Sequence, residues 1–127
     1  MSSTLRVTNV SDTTGGTSTN LMSGLAKAWA NYDGTGTPAL ETEVFNSSSL
    51  TDNAAGDHTV NYTSALDSSI HAVLALQSRT ASNAQVGAEI ASRTTSSARI
   101  SHRDTSGTGY DEGTCCMAAM GDLAWVN

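Results

Sequence analysis

Apolar and polar residues alternate with period two along most of this chain after about residue 24, the spacing of half-buried strands. In "ALETEVFN" (residues 39–46), Leu40, Thr42 and Val44 share one face and Glu41, Glu43 and Phe45 the other. "HTVNYTS" (58–64) sets Val60 and Tyr62 on one face, and with the turn-rich "TDNAAGD" (51–57) before it reads as a hairpin. "SIHAVLALQS" (69–78) is apolar on both faces, which predicts the centre of a sheet. "AQVGAEIA" (84–91) and "SARISH" (97–102) add two strands, and "TCCMAAMGDLAWV" (114–126) closes the fold. "LAKAWANY" (25–32) reads two ways. Its alanines favour helix, but the "YDGTG" turn behind it favours a strand with Ala28, Ala30 and Tyr32 on one face and Lys27, Trp29 and Asn31 on the other.

The first 23 residues differ. "TLRVTNV" (4–10) predicts one short strand, and "SDTTGGTSTN" (11–20) has turn and linker composition. A segment this polar buries no core of its own, so it docks elsewhere or stays disordered. The expected organisation is an extended anchor over 1–23 and a display domain over 24–127. No β–α alternation is present, so a parallel α/β fold is excluded. The fold class predicted is all-β: an antiparallel, jelly-roll-like β-sandwich of seven or eight strands.

Composition narrows the function. The 127 residues carry a formal charge of −6, and the six basic residues are scattered. That excludes the clustered basic footprint of nucleic-acid binding. No apolar run is long enough to insert in a membrane, and no signal peptide opens the chain. Ser and Thr fill roughly a quarter of it, which suits a hydrated surface. Cys115 and Cys116 are adjacent. Neighbouring residues meet disulfide geometry poorly, so two thiols are expected, on opposite strand faces; a strained vicinal disulfide is the alternative.

Chemistry-bearing residues are few. Glu41 and Glu43 share a face about 7 Å apart, a separation seen in glycosidase carboxylate pairs, but a solvated strand face explains them more simply. His58, His71 and His102 would need Asp57 or Asp104 to complete a metal site, and their spacing matches no ligand motif. No nucleophile elbow is present. The expectation is no enzyme and no cofactor. The loop 103–113 is the better candidate, because recognition concentrates in loops on rigid scaffolds. There, Tyr110 with Arg103, Asp104, Asp111 and Glu112 would stack on a sugar and bond its hydroxyls. Trp29, Tyr32 and Trp125 are the candidate subunit-interface residues. A homotrimer is expected, since a small domain gains by sharing apolar surface.

The run "AKAWANYDGTGTPALETEVFNSSSLTDNAAGDHTVNYTSAL" (26–66) resembles a module of virion structural proteins from tailed, especially marine, bacteriophages. That module opens with an Ala-Lys-Ala-Trp-Val-Asn-Phe strand and a Gly-Thr-Gly-Thr turn. It continues through Phe-Asn-x-Ser-Ser and Thr-Asp-Asn to Thr-Val-Asn-Phe-Thr. "MGDLA" (120–124) echoes its Gly-Asp-Leu-Ala tail, and "LRVTNVSDTTGG" (5–16) its leader. Ala30 replaces the usual Val and His58 the usual Tyr, and residues 77–113 match only as a variable region. The resemblance implies a tail- or head-fibre subunit, located in the virion after assembly in the host cytoplasm. It would be anchored to other virion proteins through Leu5, Val7 and Val10, and would display its β domain to a host cell-surface glycan. A capsid decoration protein is the alternative. The resemblance supplies no catalytic residues.

Overall fold

The computed structural model describes residues 9–11, 18–20, 25–78 and 86–122. Ten strands follow one another: β1 (Asn9–Ser11), β2 (Ser18–Asn20), β3 (Ala26–Asp33), β4 (Ala39–Phe45), β5 (Ser47–Ala54), β6 (Asp57–Tyr62), β7 (Ala72–Gln77), β8 (Val86–Thr94), β9 (Ser97–Asp104) and β10 (Cys115–Met120). Every pairing is antiparallel. Two four-stranded sheets, ordered β4-β3-β10-β7 and β5-β6-β9-β8, form a β-sandwich. β1 and β2 pair separately with Val10 opposite Thr19. Residues 18–20, expected as linker, are therefore strand, because Thr and Ser suit an extended backbone once a partner strand is at hand.

Period-two alternation builds the core. Ala28, Ala30 and Tyr32 of β3 and Cys115, Met117 and Ala119 of β10 face inward from one sheet. Val60 and Tyr62 of β6 and Ala98 and Ile100 of β9 face them from the other. Leu66, in the connection from β6 to β7, fills the remaining space. The four central strands thus carry small residues that let the sheets approach, with two tyrosines, a methionine and an isoleucine to fill the gap. The helix reading of 25–32 fails for the same reason: the buried residues recur every second position, not every third or fourth.

One expectation needs correction. The apolar run 69–78 is not a sheet centre. Only Ala72–Gln77 is strand, and it lies at a sheet edge. Its inner face packs Val73 and Ala75 on the core, while Leu74 and Leu76 point outward and are exposed. An apolar run signals burial but not by what, and here the outer leucines have no cover among the described residues.

The sheets are joined at one side by a single residue. β4 ends at Phe45 and β5 begins at Ser47, so Asn46 alone turns the chain from one sheet into the other. It does so at φ +52°, the only positive φ of a non-glycine residue described. Asn tolerates this left-handed region better than other side chains. Its amide nitrogen donates to the Lys27 carbonyl (2.9 Å) and the Ser64 carbonyl (3.0 Å), and its amide oxygen accepts from Ser64 N–H (2.7 Å). Its own carbonyl accepts from Thr63 N–H (3.1 Å). Three segments are tied at one corner. Asn46→Ala should therefore cost about 4 kcal/mol, from three lost hydrogen bonds at about 1 kcal/mol each plus the left-handed backbone. Asn46→Gly, which relieves only the backbone strain, should cost less. Urea denaturation of both variants checks the order; equal stability of Asn46→Ala and the native chain would show that the corner does not depend on this side chain.

Candidate functional site

The segment after β9 is a built loop. The Asp104 carboxylate accepts from Ser106 N–H (2.9 Å), Ser106 Oγ (2.7 Å), Thr108 N–H (2.8 Å) and Tyr110 Oη (3.3 Å). These bonds, led by the Ser106 hydroxyl, hold its acid below the usual carboxylate range. Further along, Asp111 accepts from Gly56 N–H (2.6 Å). The loop lies backbone to backbone on the Ala55-Gly56 turn between β5 and β6. A Cβ on Gly109 would sit 2.1 Å from the Ala55 oxygen, and one on Gly56 2.4 Å from Tyr110 N. Gly56 also takes φ +66°, so glycine is required there twice over.

Beneath the loop the sandwich encloses polar side chains. His102 of β9 is fully buried. Its Nδ1 meets the Gln77 side-chain oxygen, so Nδ1 carries the proton. Its Nε2 then accepts from the Tyr32 hydroxyl at 2.8 Å. Burial first, then neighbouring His58, pulls its pKa down to about 4. The Cys115 thiol is pushed up to about 12, mainly by burial and then by Glu112. Tyr32 is raised well above its ordinary value, again by burial first. All three groups are uncharged through the neutral range, as a structural cluster is. At the opposite end a second pair repeats the scheme: Tyr62 Oη donates to His71 Nε2 (3.1 Å), while His71 Nδ1 donates to the Ser68 carbonyl (3.0 Å).

His58 breaks the pattern. It is fully buried on the inner face of β6, yet neither ring nitrogen has a hydrogen-bond partner. The Asp111 carboxylate lies 3.8 Å from Nε2, beyond hydrogen-bond reach. The ring lies against Gly34, where a Cβ would stand 2.9 Å from Cε1. Next to it, Asp57 forms a bidentate pair with Arg99, both contacts 2.7 Å.

The open surface at this end is a groove of about 420 Å³, lined by Asn31, Tyr32, Glu41, Thr42, Glu43, Gly113 and Thr114. Its origin is an irregularity in β4. Ala30 pairs with Val44 and Tyr32 with Leu40, so Glu41, Thr42 and Glu43 all stand opposite Asn31. Such a bulge re-aims side chains and opens the ladder. All three are exposed, and the groove offers carboxylate, hydroxyl and amide groups to a polar solute. Alternation alone placed Glu41 and Glu43 on a plain solvated face; the bulge, which has no marker in "ALETEVF", is what sets them around a groove.

The other candidate residues fall as follows. Arg103 lies 3.9 Å from Asp57 and 3.6 Å from Glu89, and it donates to the Gly107 carbonyl (3.0 Å). Asp104 and Tyr110 hold the loop's own shape, and Asp111 is exposed. Glu112 is buried at 2% exposure, which removes it from a recognition surface; its carbonyl caps Gly34 N–H (2.9 Å). Tyr32 is likewise no interface residue: parity puts it inside with Ala28 and Ala30, and Trp29 outside. Leu5, Val7 and Trp125 lie outside the described residues, and Val10 is in β1. Both cysteines are free, Cys115 buried and Cys116 half-buried on the outer face. Among the described residues no three His, Cys, Asp or Glu side chains gather as a metal-ligand set. No protein-family model, curated protein or solved structure matches the chain.

Two outcomes follow from this cluster. Because the folded pKa of His102 lies below its unfolded value of about 6.5, the unfolded state binds more protons on acidification. Its contribution to stability is complete above about pH 6.5 and is lost as pH falls toward 4. Thermal melts across that window should show the decline, and His102→Gln should flatten it; an unchanged slope would refute the assignment. His58→Leu removes two orphaned nitrogens at similar volume. It should be neutral or stabilising by about 1–2 kcal/mol, whereas a loss above about 1 kcal/mol would mean the imidazole is satisfied in solution.

Proposed function

We propose that this chain is a structural protein of a tailed-bacteriophage virion, a fibre or spike subunit. It is anchored through residues 1–23, assembles as a homotrimer and displays the sandwich to a host cell-surface glycan. One observation supports the reading most. The residues that resemble the phage module do scaffold work, at a turn, at the inter-sheet corner or across the β5–β6 pair. Asp33 accepts from Thr35 N–H (2.8 Å) and Oγ1 (2.7 Å) in the Gly-Thr-Gly-Thr turn. Asn46 of the Phe-Asn-x-Ser-Ser stretch makes the inter-sheet corner. Asn53 bridges to Thr59 Oγ1 (2.9 Å), and Asn61 to Ser49 Oγ (3.1 Å) and Thr51 Oγ1 (3.0 Å). A motif that dictates a scaffold while residues 77–113 vary is the economy expected of a display module, with recognition in its loops. The groove at the loop end, with Asn31, Glu41, Thr42, Glu43 and Thr114, carries the hydrogen-bonding groups a sugar needs.

The anchor is the testable part. The leader holds few apolar side chains, mainly Leu5, Val7, Val10, Leu21 and Met22. Their burial at about 1.5–3 kcal/mol each does not offset ordering at about 1–2 kcal/mol per residue over the whole segment. Pairing "TLRVTNV" with a strand edge of another virion protein would. Deleting residues 1–20 should leave a folded β domain whose incorporation into particles falls about tenfold or more, measured by immunoblot of purified virions. Normal incorporation of the truncated chain would reject the anchor and favour a decoration protein that holds the capsid by its β domain.

A further inference from the structure

The outer face of the β4-β3-β10-β7 sheet is apolar where a solvated face should be polar. Register aligns Phe45, Trp29, Ala118 and Leu74 in one row across all four strands. The next row adds Cys116 and Leu76, with Asn31 at its groove end. Phe45 is 49% exposed, Trp29 36%, Leu74 59% and Leu76 70%. No charged side chain stands in the first row; the second meets Glu41 and Glu43 of the β4 bulge at its groove end. The last strand in the row, β7, is also an edge strand, and it carries none of the charges, prolines or bulges that usually guard one.

We infer that this face is a self-association surface, and that its occupant is the same face of a second copy of this chain. Area is the first reason. Four strands about 4.8 Å apart and six residues at about 3.4 Å each give a face on the order of 400 Å² in plan. The relief of its large side chains brings this to about 600 Å² per copy, so two faces together cover roughly the 1,200 Å² at which stable interfaces begin. Charge is the second. Each copy carries −6, so copies repel except where carboxylates are absent. The charge-free row of Phe45, Trp29, Ala118 and Leu74 is the surface through which like-charged copies can meet, and it is complementary to itself. Trp29, Phe45, Leu74 and Leu76 are the anchors, aromatic and aliphatic groups of the kind that dominate interface energetics. This assignment is a pairwise contact between two copies, distinct from any three-fold assembly, and stands on the exposed face alone, so it holds whether or not the chain belongs to a virion.

Sedimentation velocity on the purified full-length chain tests it. At roughly 10–100 µM the native protein should be an oligomer. Leu74→Glu/Leu76→Glu should weaken association by about a hundredfold or more and sediment as a monomer, with unchanged circular dichroism. Phe45→Glu, three strands away on the same row, should act in the same direction and guards against a local defect in β7. A native chain that is monomeric at about 100 µM would overturn the inference, as would an oligomer that survives both variants. Neither result bears on particle incorporation, which the leader deletion reads separately.

Discussion

The sandwich depends on one corner. Two sheets joined by a long loop are free to slide; two sheets joined by one residue are not. Asn46 makes that join with a left-handed backbone and ties Lys27, Ser64 and Thr63 to it. The neighbouring Ser47 hydroxyl reaches the Trp29 carbonyl (3.2 Å). β3, β4, β5 and the end of β6 are thereby held in a common frame. Once β3 is placed relative to β6, Tyr32 and His58 must meet, with ring centroids 5.7 Å apart. His102 then closes the group from β9, 6.1 Å from Tyr32 and 6.2 Å from His58. The polar cluster is a consequence of the corner, and the loop 103–113 rests on the cluster.

Much of this was legible from period-two patterning. Strand identity, antiparallel class, and the opposite faces of Cys115 and Cys116 all follow from alternation, because burial on one face is what selects the residues. What alternation does not encode is neighbour order. "AVLAL" reads as a central strand because the pattern reports hydrophobicity on both faces, while the agent that covers the second face need not be in the chain. The β4 bulge is hidden for a related reason: Glu41, Thr42 and Glu43 keep ordinary strand spacing in sequence, and only the count of partners on β3 reveals the extra residues. The site was therefore half visible. The loop could be named from its glycines and Tyr110, but its self-bonded Asp104 and its seat on Gly56 required the β5–β6 turn to be in place.

The structure divides the chain into two contiguous halves. Residues 26–66 form two successive hairpins, β3–β4 and β5–β6, with the corner between them. That is a contiguous half of the sandwich. The other half, β7 to β10, supplies the remaining strand of each central pair, the long loop and the outer leucines. The second half is folded onto the turn chemistry of the first, β10 on β3 and β9 on β6. His58 illustrates the coupling: its ring is pressed on Gly34, with both nitrogens left without hydrogen-bond partners.

The distribution of polarity completes the argument. The interior holds His58, His71, His102 and Glu112, while Ile70, Leu74, Leu76 and Phe45 stand outside. Neither choice maximises the stability of an isolated domain. Buried hydrogen-bonded pairs such as Tyr32–His102 and Tyr62–His71 contribute little net energy but penalise any register that leaves them unpaired. With Ala at four of the innermost positions, the thin core leaves such specificity to polar contacts. The apolar surface that a larger core would have enclosed is then left on the outer face of one sheet, ordered in rows by strand register. A domain arranged in this way takes the specificity of its register from internal hydrogen-bond geometry and leaves part of its apolar area on the outer face of one sheet.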